Sequence, residues 1–213
     1  ASQIKAQIVP LDEDANLELS AHIQGEGEAV TSYLQSSALA DSVGITLEQL
    51  QVTGPLSGQL ALTIPLNEGE VLVNGHVDFA QNNVLVKPLD LPLSKVSGRL
   101  HFDEQKTRFD ELQAHWLGQP LQLTYRGQEV PNGYEVQLDL SGQLNSDALA
   151  NAYPMLDVLS GEGRWRGKLD LTLPEQGPLQ YQFRADSDLV GLASQLPAPL
   201  KKTKSQAWAT HLE

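Results

Sequence analysis

The chain has 213 residues, of which 40% are hydrophobic, 19% are charged and none is cysteine. Its formal net charge of −13 disfavours binding to nucleic acid phosphates, and the lack of cysteine excludes thiolate metal sites, disulfides and cysteine nucleophiles. The composition is typical of a folded globular protein, and no apolar run reaches the length of a membrane span.

Apolar and polar residues alternate along most of the chain, as in the stretch that carries Leu17, Leu19 and Ile23. Successive side chains of a β-strand point to opposite faces, so each run predicts a strand with one apolar and one polar face. The sequence therefore predicts a mainly β protein. In chain order, the predicted strands cover residues 3–9, 15–24, 46–53, 56–65, 69–80, 83–88, 95–103, 106–116, 120–127, 133–141, 162–173 and 178–188.

Short turn sequences separate many of these strands and indicate antiparallel neighbours. The predicted turns lie at residues 12–14, 67–69, 81–83, 131–133 and 175–177.

Two segments depart from the alternation and predict short helices. Residues 27–39 place apolar side chains near helical spacing. Residues 145–153 begin with the capping candidates Ser146 and Asp147 and end before Pro154. We therefore expect two short helices in an otherwise β structure.

The chain also contains an internal repeat. The pattern Gly-x-Leu-x-Leu-Thr-[Ile/Leu]-Pro occurs at residues 58–65 and again at 167–174, each time after a strand and a predicted helix. We predict one copy over about residues 15–128 and a partial second copy over about 133–204. Such repeats stack into extended bodies, so residues 1–213 are expected to be a single fragment of a longer repetitive β structure.

The residue types that carry chemistry form no recognisable site in the sequence. His22, His76, His101 and His115 occupy polar positions of their strands, and no two of the five histidines have metal-ligand spacing. No Gly-x-Ser-x-Gly nucleophile motif occurs. We expect no enzymatic activity, no cofactor and no metal site.

Four ordered blocks of sequence resemble a known family. They are residues 41–51 (DSVGITLEQLQ), 85–89 with 96–102 (LVKPL and VSGRLHF), 116–121 (WLGQPL) and 196–201 (LPAPLK). In this order they resemble the central region of the YhdP branch of the AsmA-like family, which also includes TamB. The resemblance covers about residues 15–204.

The resemblance implies a fold and a function. Members of the family are tethered to the inner membrane of Gram-negative bacteria by an N-terminal helix, and their long bodies lie in the periplasm. The body is an elongated antiparallel sheet, curled into a trough with an apolar interior. The family is implicated in moving phospholipids from the inner to the outer membrane, and it has no catalytic residues to transfer to this chain.

On this basis we expect a segment of a lipid-conducting trough. Its partners would be phospholipid acyl chains and neighbouring segments of the same full-length chain. Membrane contact would occur only through parts of the protein outside residues 1–213. The predicted lipid-facing residues are the apolar members of the alternating runs: Leu17, Leu19, Ile23, Leu60, Leu62, Ile64, Val71, Val73, Val77, Phe79, Val96, Leu100, Phe102, Val136, Leu138, Leu140, Trp165, Leu169, Leu171, Leu173, Tyr181 and Phe183.

Two other interpretations share the alternating pattern. One is a non-catalytic β-sandwich that serves as a structural or adhesion module. The other is an enzyme, such as a glycan hydrolase that uses two of the many carboxylates. The enzyme needs a cleft with convergent polar groups, and the sequence indicates none.

Overall fold

The computed structural model describes residues 3–9, 15–35 and 49–213. These ranges contain thirteen strands: β1 Gln3–Val9, β2 Asn16–Glu26, β3 Leu50–Thr53, β4 Pro55–Pro65, β5 Leu72–Val86, β6 Leu91–Asp103, β7 Lys106–Trp116, β8 Gln119–Val130, β9 Gly133–Asn145, β10 Leu159–Pro174, β11 Gln180–Ser187, β12 Leu192–Ser194 and β13 Thr210–Leu212. The two α-helices are α1 Gly27–Gln35 and α2 Ser146–Ala152. Short 3₁₀ turns lie at Lys87–Leu89 and Pro154–Leu156.

All thirteen strands belong to one antiparallel sheet with the order β1-β2-β4-β5-β6-β7-β8-β9-β10-β11-β13. β3 pairs with β5, and β12 pairs with β10. Among the described residues β1 and β13 lie at opposite ends of this order, so the sheet is open. The prediction of a mainly β, antiparallel fold with two short helices is confirmed. The part of the chain that is described forms no second sheet of the kind a sandwich needs.

The hairpin turns predicted at residues 67–69, 131–133 and 175–177 connect consecutive strands, as expected. The turn predicted at residues 81–83 is wrong, because β5 continues through it as a strand with register shifts against β6. The turn predicted at 12–14 and the end of the first predicted helix, 36–39, lie outside the described residues.

Both helices lie at the same end of the sheet, because they follow β2 and β9, which run in the same direction. In α1, the Val30 side chain is 6% exposed and packs with the core of the sheet. In α2, the side chain of Asn145 caps the helix by accepting hydrogen bonds from the backbone N–H groups of Asp147 and Ala148. Val30 of α1 therefore covers part of the apolar core, and α2 contacts β9 and β10.

Glycines on the apolar face lie beneath aromatic rings. A Cβ added at Gly75 would lie 2.5 Å from the ring of Phe102 and 2.5 Å from the backbone oxygen of Gln59. A Cβ added at Gly142 would lie 2.9 Å from the indole nitrogen of Trp165. Glycine at these positions lets a large ring of the next strand lie flat on the backbone, which allows the sheet to curve.

Candidate functional site

The strand register places the apolar residues of nine strands on one face of the sheet. Residues directly opposite one another on neighbouring strands share a face, and one line of such partners runs from β2 to β11. We call this line the apolar row. Its members, in order across the sheet, are Ile23, Gly58, Val77, Leu100, Phe109, Tyr125, Leu138, Leu169 and Phe183.

The predicted lipid-facing residues differ in their exposure. The buried ones are Val73, Val77, Phe79, Val96, Leu100, Phe102, Val136 and Leu169. The half-buried ones are Leu17, Leu19, Ile23, Leu60, Leu62, Ile64, Leu138, Leu140, Trp165, Leu171, Leu173 and Phe183. Two are exposed: Val71, which precedes β5 and is 45% exposed, and Tyr181, which is 66% exposed. The face is thus covered at its centre and open to solvent towards its edges.

The sheet is curled, and a cavity on its apolar face demonstrates this. In a flat sheet, β5 and β10 would lie about 24 Å apart, because five strand spacings of about 4.8 Å separate them. In the structure, Leu50 of β3 and Val86 of β5 line the same cavity of about 130 Å³ as Leu138, Leu171 and Leu173. No polar atom is exposed in its lining. A lining of this kind accepts apolar groups in preference to polar ones.

Sequence reasoning missed several residues of this face. Those that line the cavity and were not predicted include Leu50, Val84, Val86, Leu93, Phe109, Leu112, Leu123, Tyr125 and Leu179. The alternation of Leu121, Leu123 and Tyr125 in β8 could have identified the last two of these three. Phe109 and Leu112 could not be assigned together, since a bulge between them shifts the register of β7 against β8 and breaks the two-residue period.

Hydroxyl groups lie on the apolar face near the start of β7 and are paired with one another. The Thr107 hydroxyl lies 2.5 Å from the Tyr134 hydroxyl and 3.0 Å from that of Tyr125. Thr107 and Tyr134 are each only 1% exposed. The pairing satisfies polar groups that would otherwise be buried without partners. These hydroxyls therefore do not interrupt the apolar character of the face.

The opposite face of the sheet carries the charged residues. Arg99 donates two hydrogen bonds to Asp78, at 2.6 and 3.1 Å, and the bonded carboxylate raises the pKa of the guanidinium. His76 lies 3.6 Å from the same carboxylate. Burial and the charge of Arg99 lower the pKa of His76 below 6.5, against the opposing effect of Asp78; His101 and His22 lower it further.

No metal centre is found in the described ranges, where no group of three or more His, Asp or Glu side chains is placed to hold an ion. His76 and His211 each lie beside one aspartate, Asp78 and Asp186. The prediction that His22, His76, His101 and His115 occupy polar strand positions agrees with His76 and His101, which face each other across β5 and β6.

No helix in the described part of the chain is both long and apolar enough to cross a membrane. The apolar face spans nine strands and is half-open to solvent. Its lining offers contact with hydrocarbon and no reactive group.

Comparison with known proteins agrees with this geometry. A family model described as YhdP protein matches residues 1–213. The chain is also 33% identical over 215 aligned residues to the intermembrane phospholipid transporter YhdP of Escherichia coli (strain K12), and it spans 17% of the length of that relative. No solved structure matches the chain. The chain therefore belongs to the YhdP protein family.

Proposed function

We propose that this chain is one segment of a periplasmic trough that conducts phospholipid between the inner and outer membranes of a Gram-negative bacterium. The observation that carries the proposal is the apolar row, which continues through nine strands of one curled sheet and remains half-buried at Leu138 and Phe183. The E. coli relative, which is a phospholipid transporter, supports phospholipid as the ligand. Acyl chains would lie on the apolar face while headgroups remain in water.

The physical role of the segment follows from hydrophobic transfer. Each methylene that leaves an apolar phase for water costs roughly 0.8 kcal/mol, so a free two-chain lipid does not cross an aqueous compartment at a useful rate. A continuous apolar surface removes most of this cost without any chemical step. The hydroxyls of Thr107 and Tyr134 are compatible with this role, since each is paired with the other.

Neighbouring segments of the same full-length chain would continue the trough. Ile4 and Ile8 of β1 lie opposite Ala21 and Leu17 on the apolar face and are 74% and 47% exposed. Exposed apolar side chains on an edge strand are normally covered by another strand or segment. We expect the two sequence copies, about residues 15–128 and 133–204, to be successive units of this longer body, tethered to the inner membrane through another part of the protein.

The proposal is tested by substitutions that separate folding from transport. Leu62 and Leu171 are half-buried on the apolar face, so an aspartate there keeps contact with water. In the full-length protein, L62D with L171D should block lipid supply to the outer membrane while the protein accumulates to normal levels. T63D with T172D, at adjacent polar-face positions, is the matched control and should leave supply unchanged.

Two results would contradict the proposal. If L62D with L171D prevents folding, the face is a closed core, in which a buried, unpaired charge costs several kcal/mol. If the variant folds and lipid supply is unchanged, acyl chains do not travel along this segment.

A further inference from the structure

The polar face carries a line of histidine and arginine side chains, interrupted by Gln59, that the sequence disperses over more than a hundred positions. Successive cross-strand partners are His22, Gln59, His76, His101, Arg108 and Arg126, on β2, β4, β5, β6, β7 and β8. We call this line the histidine–arginine row. At about 4.8 Å per strand it is about 24 Å long.

The row carries positive charge on a protein whose formal net charge is −13. Arg126 forms no ion pair within the described residues, and its side chain is exposed. Arg108 is 60% exposed and lies 3.7 Å from Asp110. The His76 and His101 rings lie 6.1 Å apart. A proton bound to a histidine of the row would therefore add a positive charge beside the two permanent ones of Arg108 and Arg126.

Carboxylates flank the row and make it narrow. On one side lie Asp78, bonded to Arg99, and Asp110, beside Arg108. On the other side Asp103 accepts hydrogen bonds from the backbone N–H groups of Gln105 and Lys106. Beyond Arg126 the row passes through Gln137 to Asp170. A flat anionic surface would meet these carboxylates too, whereas a single file of anions would meet only the row.

We propose that the histidine–arginine row binds a linear chain of phosphate groups, and that it binds more tightly in mildly acidic solution. An extended acidic peptide presents same-side carboxylates about 6.8 Å apart, out of step with cations about 4.8 Å apart. Successive phosphates of a linear chain are spaced more closely than neighbouring strands, so each cation of the row lies next to a phosphate. Guanidinium groups pair with phosphate oxygens through two parallel hydrogen bonds, which suits Arg108 and Arg126.

The pH dependence of the row comes from its histidines. His76 faces Gln59 on β4, His101 and Arg99 on β6, and Asp78 on its own strand. His101 faces Arg108 on β7 and is two residues from Asp103 and Arg99 on its own strand. Arg99 opposes protonation of His76, and a bound polyanion would favour it. Binding and proton uptake are therefore coupled in both directions. This surface lies opposite the proposed lipid path, so the inference stands independently of the proposed function.

The test uses the 213-residue chain with long-chain inorganic polyphosphate at physiological salt. R108Q with R126Q should weaken binding at pH 5.5 by about tenfold or more, since each exchange removes charged hydrogen bonds. R166Q with K168Q changes the net charge equally on the same face, two strands beyond Arg126. This control should leave affinity within about twofold, because charges beyond about 8 Å are screened. Circular dichroism checks that each variant folds.

Further measurements complete the test. Wild-type affinity should fall by about tenfold from pH 5.5 to 7.5, and H76Q with H101Q should remove this dependence. Polyphosphate should raise the NMR titration midpoint of the His76 ring. The proposal is overturned if polyphosphate does not bind, or if both arginine pairs weaken it equally. It is also overturned if polyglutamate or phosphatidylglycerol vesicles bind the row as tightly as polyphosphate, or if binding does not change with pH.

Discussion

β3 and β4 both pair with β5, and Asn82 stabilises the junction between them. Its side chain is 2% exposed, accepts a hydrogen bond from the N–H of Ala80 and donates to the carbonyls of Thr53 and Pro55. These carbonyls flank Gly54, where the chain passes from β3 to β4 and the backbone ladder is interrupted. One amide thus replaces the missing strand pairing.

We predict that N82L destabilises the fold by about 2–4 kcal/mol, because three partly buried backbone groups lose their hydrogen-bond partner. N83L, at the exposed neighbouring position, is the control and should change stability by less than about 0.5 kcal/mol. Urea denaturation gives the free energy of unfolding for each. Equal values for both variants would show that the Asn82 bonds contribute little.

The hydroxyl group of Thr107 is predicted to couple to that of Tyr134. T107V should cost about 1–3 kcal/mol, because it leaves the buried Tyr134 phenol without its hydroxyl partner. Adding Y134F removes this orphaned group. The double variant should therefore be more stable than the sum of the single effects predicts. A double-mutant cycle by urea denaturation checks this, and simple additivity would contradict it.

His76 makes the stability of the fold depend on pH. Burial and Arg99 lower its folded-state pKa, so the unfolded chain takes up a proton near pH 6.5 before the folded chain does. Stability is therefore lost as the pH falls from 6.5 towards the lowered pKa. H76Q should show a smaller fall in melting temperature between pH 7.5 and 5.5 than the wild type. An unchanged or larger fall would contradict this assignment.

Strand periodicity was predictable from the sequence, and the pairing of particular strands was predictable only in part. The two-residue period is local, so alternation in β2, β9 and β10 identified the apolar members of the row, including Ile23, Leu138 and Leu169. Hairpin turns predicted most neighbours. Pairing of β3 with β5 depends on Gly54, whose φ is 96°, and on Asn82, whose Gln-Asn-Asn sequence locally predicts a turn. The histidine–arginine row depends on the register of six strands, which alternation does not determine.

Glycines on the apolar face are predicted to differ in their tolerance of a methyl group. At Gly75 an added Cβ meets the backbone oxygen of Gln59 at 2.5 Å, which cannot move without disturbing β4. At Gly142 it meets the indole nitrogen of Trp165 at 2.9 Å, and a side chain can rotate away. G75A should therefore lower the melting temperature more than G142A does. The opposite order would show that the backbone of β4 shifts more easily than the Trp165 side chain rotates.

The whole sheet is open at both ends of its strand order, and its apolar face continues to both edges. Ile4 on β1 is 74% exposed, and Tyr181 on β11 is 66% exposed. The centre, around Leu100 and Leu121, is covered by the curl of the sheet itself. A surface of this form is typical of one unit in a longer curled sheet, with hydrocarbon or further strands completing its coverage.

The central claim is that acyl chains lie on one face of this sheet, and residue parity tests it most directly. A photo-crosslinking amino acid is placed in the full-length protein, in cells, at Leu138, Leu169 and Leu171, and at their polar-face neighbours Gln137, Lys168 and Asp170. Mass spectrometry then identifies crosslinked phospholipid. The account predicts phospholipid adducts at the three leucine positions and at none of their neighbours. Equal crosslinking on both faces, or none on either, would contradict it.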